Sequence, residues 1–411
     1  MNRTKIEWTD YTWNPIKAWN LATRDVGHYC EKISPACANC YAATWNVEQR
    51  HKRKDGRPST CGTGVDFVKA NRGLVDIFLD YDELERPLRM RKPQRIFACD
   101  MTDLFLDHHR DDQIAEVFAW MRAACWHTFH VLTKRPRRMH DLLRSDEFRK
   151  LVDDHISIID DHAGESGLFY DRCLADTPAR TGSAAVPARN IWFGITAENQ
   201  ATFDERWPWL RDSPVAVRFV SYEPALGPID WSDVVRRKSM YSCTGCEQEW
   251  DKGEIGRNDV CPNCGSTCEW THEELPQIDQ IIVGGESGGG ARAMHPRWVR
   301  DARDQCRRMG VSFFFKQWGD LVPPDQAPEG GVPIRSIREY VGVMPDGRQI
   351  TGKDVIPRDA GAELLCRVGK RRAGRLLDGR EWNEAPILSG ETRPVPHPLD
   401  GCDGSHLSRS C

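Results

Sequence analysis

The chain has 411 residues, 39% hydrophobic and 29% charged, with 57 basic and 61 acidic side chains and a formal net charge of −4. That length can bury a large core, and the balanced charge excludes a globally basic coat for nucleic acid, so any contact with a polyanion has to be local. No stretch approaches the roughly 18 apolar residues of a membrane span, and Met1-Asn2-Arg3-Thr4-Lys5-Ile6-Glu7 has no apolar signal core, so a cytoplasmic protein with no membrane contact is expected.

Seven short apolar runs, at residues 11–17, 95–99, 128–132, 191–196, 216–221, 280–283 and 311–315, read as strands, several followed by a helical pattern. After the first comes Cys30-x6-Cys37-x2-Cys40, within Ser34-Pro35-Ala36-Cys37-Ala38-Asn39-Cys40-Tyr41. Three soft thiolates on one loop suit three irons of a four-iron cube and leave the fourth open. Between the second and third runs, Ile114, Val117, Phe118, Met121 and Cys125 recur on one helical face over residues 111–125. A second helix is expected over residues 297–308, stopped by Gly310. Strand and helix alternating in this way predict an α/β fold, a TIM-like partial βα barrel.

Two crossovers are too long for a single helix. The first, residues 139–190, includes a Gly/Ala/Pro-rich stretch at 177–189 that reads as a mobile loop. The second holds Cys243-x2-Cys246 and, after fourteen residues, Cys261-x2-Cys264, the paired knuckles of a zinc ribbon whose four thiolates leave no coordination position open. The expected organisation is a first part of the barrel with the cysteine loop (1–229), an inserted ribbon (230–278), the rest of the barrel with a C-terminal extension (279–388) and a polar, disordered tail (389–411).

Each candidate strand ends in a polar group: Asp103, Lys134, Glu198, Glu223, Glu286 and Lys316. In a parallel sheet these ends share one rim, where barrel enzymes keep their chemistry, and they are candidates for orienting substrate or moving protons. Gly284-Gly285-Glu286-Ser287-Gly288 follows an apolar run and lets backbone approach a ligand, but it lacks dinucleotide-site spacing and a P-loop lysine. Basic runs at residues 50–54, 134–138 and 370–372 and the tryptophans near the cysteine loop offer phosphate contacts and base stacking.

The words Thr4-Lys5-Ile6-Glu7-Trp8-Thr9-Asp10, the cysteine segment, Met101-Thr102-Asp103-Leu104-Phe105, Val131-Leu132-Thr133-Lys134-Arg135-Pro136, Glu223-Pro224 and Phe314-Phe315-Lys316-Gln317-Trp318-Gly319 make the chain resemble a family. It is similar to the largely uncharacterised radical S-adenosylmethionine-like proteins of bacteriophages and prophages. The resemblance implies a radical-enzyme barrel with Cys30, Cys37 and Cys40 on a [4Fe-4S] cluster and Tyr41 as their aromatic neighbour. S-adenosylmethionine is then expected on the open iron, its amino-acid end held by Gly284, Gly285, Glu286 and Ser287. An electron-donor protein would drive release of a 5′-deoxyadenosyl radical, with a nucleobase or nucleic acid as substrate. The alternative is a metal-stabilised module that binds nucleic acid or protein without catalysis.

Overall fold

The protein is described from a computed structural model, which defines residues 1–51, 58–166, 188–246, 248–251, 255, 260–326, 339–351 and 357–386. Its centre is one eight-stranded sheet made of β1 (Asn2–Arg3), β2 (Tyr11–Trp13), β3 (Arg95–Ala98), β4 (Thr128–Thr133), β5 (Ile191–Thr196), β6 (Val217–Tyr222), β7 (Gln280–Gly284) and β8 (Ser312–Gln317). The strands lie side by side in chain order. All neighbours pair parallel except β1, which runs antiparallel to β2. The sheet curls into a half-barrel, a mixed α/β architecture. The longer helices among the described residues are α1 (Tyr41–His51), α2 (Asp111–Ala123), α3 (Pro136–Arg144), α4 (Asp146–Ser166), α5 (Gln200–Arg211) and α6 (Pro296–Met309).

Strand periodicity separates two apolar layers. Ile96, Phe129, Val131, Ile191, Phe193, Ile281 and Phe313 join Ile114, Val117, Phe118 and Met121 of α2 in the main core. The intervening residues Phe97, Trp192, Val217, Phe219, Ile282 and Phe314 form a separate layer on the other face, closed by Trp8. The Trp8 ring lies 4.8 Å from Phe97 and 5.3 Å from His130, centroid to centroid. The segment before β2 therefore packs against the inside of the curl.

The apolar run at 11–17 becomes two strands in different sheets. Pro15 has no N–H to continue the ladder, and after it Ile16–Asn20 pairs with Val26–Gly27 and Val75–Leu79. Residues 235–276 contain a three-stranded antiparallel sheet of Glu249–Asp251, Val235–Cys243 and Cys268–Pro276. Beyond β8 the chain adds a four-stranded sheet, Leu321–Val322, Glu363–Arg367, Tyr340–Val343 and Gln349–Ile350. The loop expected at 177–189 lies outside the described residues except for its last two positions, and the tail expected at 389–411 lies wholly outside them. Among the described residues no helix is long and apolar enough to cross a membrane.

Candidate functional site

A cavity of about 580 Å³ opens at the carboxyl end of the curled sheet, and Cys30, Cys37 and Cys40 all line it. The same wall receives Asp103, Lys134, Glu223 and Lys316 from strand ends, Tyr41 from the start of α1, and Gly285, Glu286 and Ser287 from the turn after β7. Gly284 and Glu198 are set back from it. Eleven of the thirteen residues expected around this site thus meet in one place.

The cysteine loop is tied to the strand ends one by one. Thr102 donates its hydroxyl to the Tyr29 carbonyl at 2.6 Å, and Arg135 donates to the Glu31 carbonyl at 3.1 Å, so the chain on both sides of Cys30 is held. Cys37 lies in the short 3-10 turn Pro35–Asn39. Ser34, just before that turn, donates to Glu198 at 2.6 Å, and the Pro35 carbonyl accepts from Arg292 at 3.0 Å. Asn39 donates to the Gly290 carbonyl, and the Tyr41 hydroxyl donates to Asp100. Three strand ends and the glycine turn therefore position three thiols.

Several of the charged groups act as supports. Asp103 accepts from the Thr133 hydroxyl, the Lys134 N–H and the Arg135 guanidinium at 2.7, 2.9 and 3.0 Å. Burial opposes its ionisation, but Arg135 and the Lys134 N–H outweigh it and hold the carboxyl below the usual range. Glu198 is fully buried and pairs with Arg206 at 3.1 Å beneath the cysteine loop. Glu286 is gripped by Arg292 through contacts of 2.6 and 2.8 Å, which likewise keep its carboxyl low despite burial. The Glu223–Lys316 pair, at 2.9 Å, faces the cavity.

The glycine turn is dictated by close packing. A Cβ on Gly285 would lie 1.9 Å from the Trp318 carbonyl oxygen, and one on Gly284 would lie 2.6 Å from Glu223 Oε1. The Gly285 N–H is already bonded to the Gln317 carbonyl, and that of Gly288 to Asp320. Those two donors are occupied within the protein, and the turn offers the cavity mainly the Glu286–Ser287 edge. Sequence reasoning did not find Arg135 or Arg292 as supports of the loop. The only signal for Arg292 was its place six residues after Glu286.

The thiols differ in environment. Burial, aided by the Asp103 charge, pushes Cys30 up to about 11. Cys37 lies below its ordinary value because the nearby Lys134 charge and backbone donors overcome its burial. A cation beside the loop favours thiolate, the form a metal needs. Cys30, Cys37 and Cys40 are not gathered at single-ion spacing. Among the described residues that spacing occurs at Cys243, Cys246, Cys261 and Cys264, whose sulfurs all lie within 4.8 Å of one another and which could hold a metal ion. Cys268 packs against this set, opposite Cys243 in the strand register.

The fold and site define a mixed α/β half-barrel protein with a thiol-lined cavity at the carboxyl edge of its sheet and a separate cluster of four cysteines that could hold a metal ion. Residues 3–386 match the family described as "Protein of unknown function (DUF5131)", and the chain belongs to it. No curated protein and no solved structure matches the chain.

Proposed function

We propose that this protein is a radical S-adenosylmethionine-type iron–sulfur enzyme of phage or prophage type that modifies a nucleobase or nucleic acid. The observation that carries this reading is the convergence of Cys30, Cys37 and Cys40 with the ends of parallel strands around one cavity. The donor set suits a [4Fe-4S] cluster: three thiols on one loop, spaced wider than a single ion requires, with no fourth cysteine of the loop to close the last corner. When bound, such a cluster with S-adenosylmethionine supplies one-electron cleavage of the sulfonium and hydrogen-atom abstraction, with the electron coming from a donor protein.

The chain's own residues then have separable tasks. Cys30, Cys37 and Cys40 hold three corners, and Ser34, Arg135 and Arg292 keep their loop still. The Glu286–Ser287 edge lines the same cavity and would hold the amino-acid end of the cofactor. Lys316 and Glu223 form the pair best placed to orient a substrate or hold a proton at the Glu223 carboxylate, while Trp8 and Phe97 shut out water from below. The four-thiolate set reads as a structural zinc ribbon. Tetrahedral zinc with bonds of about 2.3 Å needs sulfurs about 3.8 Å apart, and Cys243–Cys264 and Cys246–Cys261 lie at 3.3 and 3.7 Å.

The test is release of 5′-deoxyadenosine from S-adenosylmethionine by anaerobically reconstituted protein with dithionite. Release that disappears in Cys37→Ala supports the enzyme. Protein with two zinc ions, no iron and no release is instead the binding module that the four-cysteine site alone would support.

A further inference from the structure

A second depression runs beside the cavity. It is a groove of about 480 Å³ between α3 and α5, lined by Lys134, Arg135, Arg137, Arg138, Arg206 and Trp209 and also by Asp107, Asp141 and Glu205. Lys134 and Arg135 belong to both hollows, so the groove adjoins the thiol-lined cavity. We propose that this groove holds the sugar–phosphate backbone of a single-stranded polynucleotide and delivers one of its bases to the cavity. The proposal rests on the nucleobase-modifying reading above and narrows its substrate to a strand.

Three observations carry it. Arg135, Arg138 and Arg206 are occupied by Asp103, Asp111 and Glu198, whereas the half-buried Lys134 has no ion pair among the described residues and the exposed Arg137 meets Asp141 only at 4.0 Å. Two cationic heads are thus left for phosphate. Next, α3 starts in this groove at Pro136 with no side-chain cap and no acid in its first turn, so its leading N–H groups favour an anion. Finally, Trp209 is half-buried, with the Arg137 guanidinium 5.3 Å from its ring centroid, and offers the flat face on which an unstacked base rests.

A strand is required over a duplex because a paired base cannot enter a cavity floored by Trp8 and Phe97; chemistry on a base needs that base out of the stack. Cations spaced along a groove serve a chain of phosphates better than a single nucleotide.

Fluorescence anisotropy with 5′-labelled twelve-residue dT and U oligonucleotides tests this on the reconstituted full chain. Binding should weaken with salt, as phosphate contacts do. Arg137→Glu and Trp209→Ala should each weaken it about tenfold, with circular dichroism and iron content unchanged. The dT and U arms show whether DNA or RNA is preferred. Wild-type protein that binds neither strand, variants that bind as wild type does, or competition by inorganic phosphate or a mononucleotide at the same concentration as by the strand overturns the proposal. Because 5′-deoxyadenosine release is measured separately, a radical enzyme without strand binding and a strand binder without radical chemistry give different results.

Discussion

Glu198 should be the keystone beneath the cysteine loop. Its carboxylate is fully buried, with the buried Arg206 guanidinium 3.1 Å away on one side and the Ser34 hydroxyl 2.6 Å away on the other. Arg206 also donates to the Thr196 carbonyl at the end of β5, so one charge pair connects the strand, α5 and the loop that carries Cys37. Glu198→Ala leaves the guanidinium charge buried without its partner, a loss of about 3–5 kcal/mol. Ser34→Ala removes one hydrogen bond to a charged acceptor, about 1.5–3 kcal/mol. Glu198→Gln keeps the shape and loses the charge, and should fall between them. Urea denaturation followed by circular dichroism reads the stability, and iron per chain reads the loop. A double-mutant cycle of Ser34→Ala with Glu198→Gln should give coupling of about 1 kcal/mol, since the two side chains touch. Glu198→Ala with a stability within about 0.5 kcal/mol of wild type, or with full iron loading, refutes the assignment.

Acid should destabilise the protein through its buried histidines. Burial lowers His109 to about 4 and His130 to about 3, so below about pH 6.5 the unfolded chain binds protons that the folded one refuses. Their stabilisation is complete above about pH 6.5 and is lost as pH falls toward 4, together on the order of several kcal/mol; His130→Phe should flatten the stability–pH curve over that window, and an unchanged slope contradicts this. Gly285→Ala, whose Cβ would meet the Trp318 backbone carbonyl, should cost about 1–3 kcal/mol or more, and a melting temperature equal to that of wild type would show the turn to be more yielding than its packing implies. Cys261→Ser should remove one zinc per chain while the melting of the half-barrel stays in place; collapse of the whole protein would mean that the four-cysteine unit is integral to the core.

Local patterns made much of the fold legible. The runs at β3 to β8 are apolar because parallel strands are buried on both faces, and α2 follows its period from Asp111 to Ala123. Gly310, in left-handed conformation at φ 69°, ends α6 as the sequence indicates. The first run misled because Pro15 divides it between two sheets. The sheet after β8 was hidden because its strands are two to five residues long and Glu363–Arg367, which joins it together, pairs with strands distant in the chain. The cysteines and most strand-end groups were legible at the rim because the thiol spacing is local and parallel strands share a carboxyl end. The division of labour among those groups was not: Ser34 and Glu198 are 164 positions apart, and nothing near either marks the bond. Arg135 and Arg292 look like ordinary surface charges until the fold brings them to backbone carbonyls of the loop.

The central claim is that the Cys30, Cys37 and Cys40 loop holds an iron–sulfur cube with one corner open. Electron paramagnetic resonance of the reduced, anaerobically reconstituted protein tests it most directly, alongside counts of iron and sulfide. About four of each per chain, and a signal whose shape changes on adding S-adenosylmethionine and vanishes in Cys37→Ala, is the predicted result. Protein without iron, or a cluster whose signal S-adenosylmethionine leaves unaltered, would contradict it.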